Sequence, residues 1–149
     1  MNIQIREASL DDIEMLYRLN KEELGYDFEL ENMRIRLSSI LNTSSNKIVV
    51  AEINQKIVGY IHGVDYDLFY SNHMKNIMGI AVSSEYKRKG IGKLLMKEIE
   101  NWAKTTGAVG VRLNSGSTRL SAHEFYLSCG YELKKEQKNF FKNLKNQDS

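Results

Sequence analysis

Val82-Ser83-Ser84-Glu85-Tyr86-Lys87-Arg88-Lys89-Gly90-Ile91-Gly92-Lys93-Leu94-Leu95 is the stretch on which the reading of this chain turns. An apolar run from Met78 to Val82 arrives as a strand, and the run from Ile91 onward leaves as a helix. Between them Gly90 and Gly92 stand among Lys87, Arg88, Lys89 and Lys93. Glycine carries no side chain, so a ligand can approach the backbone closely there. The first turn of a helix has N–H groups without intrahelical partners, and the macrodipole is positive at that end, which together make an anion site. The chemistry indicated is binding of a phosphate or pyrophosphate. The plainer reading is an ordinary helix start with a solvated basic face, and residues 87–93 alone weigh the two evenly.

Two familiar phosphate loops do not fit. A P-loop needs Gly-x-x-x-x-Gly-Lys-Ser/Thr, but here Gly92-Lys93 is followed by Leu94 and lacks the earlier glycine. A Rossmann fingerprint needs a third glycine where Leu95 stands. The run Tyr86 to Leu95 instead resembles motif A of the GNAT N-acetyltransferases, whose core is Arg/Gln-x-x-Gly-x-Gly/Ala. Lys87 stands where that family usually has Arg or Gln, a position the family uses largely through its backbone.

Length and composition agree with a single soluble catalytic or binding domain. The 149 residues suffice for one domain with a sizeable core, and a net charge of +2 gives no case for nucleic-acid binding. The one cysteine, Cys129, excludes an internal disulfide and fits a reducing compartment. No apolar run approaches the ~20 residues of a membrane span, and residues 1–6 do not read as a signal peptide. A cytoplasmic location is the default expectation.

Taken in order, Ile3 and Ile5 alternate with Gln4 and Arg6 as a half-buried strand. Ser9-x-x-Asp12 is close to a capping box and opens a helix with Ile13, Leu16, Tyr17 and Leu24 on its apolar face. Asp11 and Asp12 in that first turn read as dipole partners rather than catalytic acids. Gly25 breaks the helix, and a second runs from about 29 to 41 with Leu30, Met33, Leu37, Ile40 and Leu41 as its stripe. Strands are expected at 47–53, 56–65 and 75–82, the first two joined by Asn54-Gln55. The helix after the glycines places Ile91, Leu94, Leu95, Ile99, Trp102 and Ala103 on one face, with Gly107 at its end. A short β run at 108–113, a helix at 118–129 closed by Gly130, and strands at 131–134 and 138–141 follow, then a polar tail at 143–149. The order is β-α-α-β-β-β-α-β-α-β-β. Residues 75–113 form a crossover unit, so two strands there should be parallel, whereas the N-terminal meander should be antiparallel. The expectation is an α/β fold: one domain over 1–142, with a mixed sheet carrying helices on both faces.

A second motif supports the resemblance independently. Ala122-His123-Glu124-Phe125-Tyr126-Leu127-Ser128-Cys129-Gly130-Tyr131 resembles GNAT motif B, often Ala-x-x-x-Tyr-x-x-x-Gly-Phe/Tyr, and lies at the separation from the glycine turn that the family requires. Arg119 replaces the Asn common three residues before the Ala. It is read equally as a contact to a CoA phosphate and as a surface cap. The resemblance implies a GNAT-type fold over nearly the whole chain, with acetyl-CoA as co-substrate and no metal. It implies that backbone groups of Ile80, Ala81 and Val82 hold the acetyl and pantetheine parts, with an amide near Ala81 facing the oxyanion. It further implies that Lys87, Arg88, Lys89, Gly90, Ile91, Gly92 and Lys93 hold the pyrophosphate. Tyr126 matches the family's usual general acid, which protonates the departing CoA thiolate; on residue type alone it would be an amphipathic core Tyr.

The general base stays open. The family sometimes has Glu on the strand before the glycine turn, but Met78 and Gly79 stand there. Glu52, His62 and His73 are the remaining candidates, each more often structural, and water is the alternative carrier. His123 is out of helical phase with Tyr126, and Cys129 reads as a small core residue rather than an acyl carrier. Glu22, Glu23, Asp27, Glu29 and Glu31, with Tyr26 and Phe28 between them, suggest a cationic acceptor, or equally a solvated acidic surface. The reading is transfer of acetyl to a primary amine by direct attack in a ternary complex. The rivals are a non-catalytic CoA-binding sensor or partner module, and a nucleotide- or phosphosugar-binding protein using the same glycine turn. The acceptor (small amine, aminoglycoside, polyamine, amino acid, peptide or protein lysine) is not named by the sequence, a homodimer is left open, and neither nucleic acid nor membrane is expected as a partner.

Overall fold

The computed structural model describes residues 2–145, so the end of the expected polar tail, 146–149, lies outside the described residues. Five strands and four helices follow one another: β1 (Ile3–Glu7), α1 (Ile13–Leu24), α2 (Leu30–Leu41), β2 (Asn46–Ile53), β3 (Lys56–Tyr66), β4 (Met74–Val82), α3 (Ile91–Thr105), β5 (Val111–Leu113) and α4 (Leu120–Ser128). The chain separates into two compact units between Asn114 and Ser115. The first holds the sheet, in the order β1-β2-β3-β4-β5. Strands β1 to β4 pair antiparallel, and β4 with β5 parallel, as a crossover through α3 requires.

Helices cover both faces of that sheet, which is why the centre of β2 is one apolar run, Ile48-Val49-Val50-Ala51, with every member buried. Ile48, Val50, Tyr60 and Ala81 form a core with Ile13, Leu16 and Leu19 of α1 and Leu37 of α2. On the other face α3 lies close against β3 because Gly59 and Gly63 leave room for it. A Cβ on Gly59 would stand 3.0 Å from the Ala81 carbonyl oxygen and 3.4 Å from both Ile91 and Leu95. One on Gly63 would stand 2.9 Å from Ile99. Ile91, Leu95, Met96 and Ile99 are accordingly buried completely or nearly so, each worth roughly 1.5–3 kcal/mol of transfer free energy. Leu94, expected on this face, is instead turned outward and exposed, and Met96 takes the inward place.

Asn54 and Gln55 join β2 to β3 with φ of 51° and 65°, the mirror-image turn that two-residue hairpins favour, made here without glycine. Gly25 ends α1 at φ 72° as expected. A second expectation fails. Residues 131–134 and 138–141 form no strand: among the described residues of the second unit, α4 is followed by chain without regular structure. Leu133, Phe140 and Phe141 of that segment are exposed, so the alternation that reads as strand there has neither a sheet partner nor a buried face.

Candidate functional site

Strand β4 is paired unequally along its length. Met74 to Val82 run opposite Tyr66 to Gly59 of β3, but β5 meets only Lys75, Asn76 and Ile77. From Gly79 to Val82 the strand is paired on its β3 edge, and from Met78 onward it has no strand on the other edge among the described residues. The change falls at a bulge: His62 faces Gly79 and Gly63 faces Ile77, so Met78 is an extra, exposed residue. The middle of the three paired rungs is locked by Arg112, which donates to Asn76 Oδ1 at 2.5 Å and lies over the Tyr66 ring at 4.2 Å. Beyond it, Ile80, Ala81 and Val82 offer backbone groups along an open edge. The Ala81 side chain is buried in the α1 core, leaving the main chain as its contribution to a site.

The open edge runs into the glycine turn. A short 3-10 turn, Ser84–Tyr86, follows β4, then Arg88 at φ 64° and Gly90 at φ 80° bring the chain into α3. Gly90 is the N-cap and supplies no side-chain cap, and the first turn of α3 holds no acidic residue. The first intrahelical bond is that of the Leu94 N–H to the Gly90 carbonyl, so the first-turn amides of Ile91, Gly92 and Lys93 face outward as donors. A Cβ on Gly90 would meet nothing within 4 Å, so space is open beside the turn. Lys87, Arg88, Lys89 and Lys93 are exposed around it, whereas the Ile91 side chain is buried at 1% exposure, leaving only its amide for a ligand. Arg88 is a non-glycine residue in the left-handed region, a backbone conformation that must be held by its surroundings.

Glu23 is not part of an open acidic surface. Its side chain is only 11% exposed; its carboxylate accepts the Ser84 N–H at 3.0 Å and the Ser84 hydroxyl at 3.1 Å, with Lys87 Nζ at 3.3 Å. Burial opposes the charge, but the Ser84 donors and Lys87 hold this carboxyl below its ordinary range.

The candidate bases are all engaged. Glu52 lies 3.3 Å from the Arg6 guanidinium, which holds Asp12 bidentately at 2.8 and 2.9 Å. Arg6, outweighing burial, lowers the Asp12 carboxyl, and Asp12 also accepts the Ser9 N–H, the structural role expected of it. His62 Nε2 bonds Asn46 Oδ1 at 2.8 Å, and burial lowers its pKa. His73 bridges Asp67 at 2.6 Å and Lys75 at 3.0 Å. In the second unit Arg119 is exposed at the N-cap of α4, and His123 Nε2 bonds the Gly116 carbonyl at 2.8 Å. Tyr126 is half-buried, its ring edge-on to Phe125 with centroids 5.4 Å apart, and Cys129 is likewise half-buried. Among the described residues no group of three or more His, Cys, Asp or Glu is placed to hold a metal ion, and no helix is long and apolar enough to cross a membrane.

The family description "Acetyltransferase (GNAT) family" matches residues 13–131. The chain belongs to that family. The GNAT chain is 31% identical over 104 residues to human N-acetyltransferase 8, a match over 69% of this chain and 45% of the relative, so it spans less than half of that protein. It is 26% identical over 130 residues to the aminoalkylphosphonate N-acetyltransferase of Salmonella typhimurium, over 87% and 84% of the two chains. Its fold is similar to that of AAC(6')-Iy, solved in complex with the bisubstrate analogue CoA-S-monomethyl-acetylneamine, with a TM-score of 0.86, 15% identity, and 96% and 99% of the two chains covered. At that identity the likeness is one of fold.

Sequence reading placed the glycine turn, its four cations and the strand before it at one end of the sheet, where the structure has them. It missed the Glu23–Ser84 contact, which spans 61 residues and leaves no local signal. It also missed the pair Gly59 and Gly63, whose spacing on one face of a strand could have announced a closely packed helix.

Proposed function

We propose that this GNAT protein is an acetyl-CoA-dependent N-acetyltransferase that moves acetyl to a primary amine by direct attack in a ternary complex, with residues 1–142 working as one domain. The observation that carries the proposal is the open edge of β4 running directly into an uncapped, acid-free helix start flanked by Lys and Arg. The same strand end thus offers amides along an extended chain and, at the helix start, amides without intrahelical partners. An acyl-CoA needs both, for its pantetheine arm and for its diphosphate. The names of both N-acetyltransferase relatives, and the CoA-bearing analogue bound to AAC(6')-Iy, favour this reading.

In it, main-chain groups of Ile80 to Val82 hold the acyl arm, and the Ala81 amide faces the oxyanion that develops on the carbonyl. The amides of residues 91–93, with Arg88, Lys89 and Lys93, hold the diphosphate. Acetyl-CoA supplies the activated thioester. As the acceptor's N–C bond forms and the C–S bond breaks, Tyr126 gives its phenolic proton to the sulfur. The excess proton of the amine leaves through water, because Glu52, His62 and His73 are each occupied by partners, and water returns a proton to the Tyr126 phenolate, so the enzyme ends as it began. Arg119 is assigned to a CoA phosphate.

A thiol-release assay with acetyl-CoA over a panel of amines tests the reading. Acetyl-CoA-dependent release with at least one amine is expected, and Tyr126→Phe should lower kcat on that amine by ~10²–10⁴-fold while sparing acetyl-CoA affinity. A kcat within threefold of wild type, with chemistry limiting, would remove Tyr126 from the mechanism. CoA binding without turnover on any amine would favour the sensor module, and no CoA binding would end both readings.

A further inference from the structure

Glu23 stands in the last turn of α1, far in sequence from the loop it touches. Its Oε2 accepts both the Ser84 N–H at 3.0 Å and the Ser84 hydroxyl at 3.1 Å, while Oε1 faces Lys87 Nζ at 3.3 Å. Three donors therefore converge on one carboxylate that water scarcely reaches, the arrangement in which charge-assisted bonds are strongest. The residues held are the two ends of one device. Ser84 opens the 3-10 turn after β4, and Lys87 closes it. Arg88, in the left-handed region, and Gly90, the helix N-cap, follow at once. Fixing both ends of the turn fixes the path by which the chain leaves the open end of β4 and presents the first amides of α3.

We propose that Glu23 is a positioning residue for the anion-binding turn: it holds residues 84–90 in the conformation in which the α3 amides meet the diphosphate of an acyl-CoA. It does so from outside the ligand's path, touching the loop and not the ligand. By neutralising Lys87 it also leaves Arg88, Lys89 and Lys93 as the cations that face an anion. The carboxylate is turned to this loop, so Glu23 does not serve as an acid that attracts a cationic acceptor. The inference rests on the CoA site proposed above, and preorganisation is its physical content: a loop already ordered loses less entropy when a ligand binds.

The test is calorimetric titration of the full chain with CoA, beside thermal melts, for wild type, Glu23→Ala and Glu23→Gln. Glu23→Ala should weaken CoA binding about tenfold, the scale of lost hydrogen bonds to a charged group. Glu23→Gln keeps an oxygen for Ser84 but not the charge opposite Lys87, and should fall between, at about threefold. This graded response, with acceptor KM unchanged on any amine found to react, is not produced by a general loss of stability. CoA affinity equal to wild type in the folded variants would overturn the inference while leaving the site intact. So would a raised acceptor KM with unchanged CoA affinity. Should Glu23→Ala fail to fold, Glu23→Gln decides by the same criterion. A wild-type protein that does not bind CoA would overturn the proposed site itself, and this inference with it.

Discussion

The two ends of β4 are built for opposite purposes. At its start, Lys75 is 2% exposed, its ammonium bonded to Asp65 and to His73 Nε2 and lying 3.8 Å from the centre of the Trp102 ring. Here the strand has neighbours on both edges, and each polar group has a partner. At its end, five residues later than the last β5 contact, the strand has one neighbour and opens into a turn of exposed cations. Charge is satisfied internally at the first end and exposed at the second. The difference teaches that one strand can spend its polar groups on stability at one end and leave them unpaired at the other, which is where the proposed function places binding.

That contrast can be broken most forcefully at the closed end. Lys75→Met keeps the stem and removes the ammonium, stranding Asp65 and His73. Removing one partner of a buried pair costs ~3–5 kcal/mol, and the partial exposure of Asp65 places this change near the lower figure. Thermal denaturation should show Tm falling by roughly 6–12 °C. CoA affinity of the folded variant should not move; a weakened CoA site with unchanged Tm would reverse the assignment of the two ends.

A smaller effect is expected at the boundary, where His62 faces Gly79 beside the bulge. Asn46 Nδ2 donates to Thr43 Oγ1, so Asn46 Oδ1 is the acceptor for an Nε2–H of neutral His62. Burial lowers the His62 pKa. The unfolded chain therefore takes up this proton first as pH falls, and the stability His62 contributes at pH 7 is lost on passing below the unfolded value of about 6.5. Melts between pH 7 and 5 should show a falling Tm, and His62→Gln, which can still donate to Asn46, should flatten that slope. An identical slope in the variant would remove His62 as its source.

The smallest effect belongs to the open end. Met78, at 59% exposure, packs against no core, so Met78→Ser should alter stability by no more than about 0.5 kcal/mol in denaturant titration. A loss above 1 kcal/mol would mean that this edge is covered in solution.

Much of the open end was legible because its signals are local. A β-to-α change of period around Gly90, and glycines among cations, need only neighbours in sequence to be read. The meander and the parallel crossover followed from element order. The rest depends on contacts the chain does not announce. Leu94 and Met96 exchanged places because Gly59 and Gly63 set which side of α3 faces the sheet. The alternation at Tyr131-Glu132-Leu133-Lys134 reads as a strand, but a strand exists only with a partner, and periodicity does not supply one. Glu23 looked like one of several surface acids until its distant partner, Ser84, came into view.

The central claim, that the open end of β4 and the turn after it bind acyl-CoA, is tested most directly at Gly92. This glycine lies in the first turn of α3 and, unlike Gly90, is not in the left-handed region, so a side chain there adds no backbone strain. Gly92→Glu places a carboxylate beside the outward amides. Calorimetry with CoA should find wild-type binding and, in the variant, a loss of at least ~100-fold, with Tm within about 3 °C of wild type. CoA affinity unchanged in a folded Gly92→Glu protein would contradict the account.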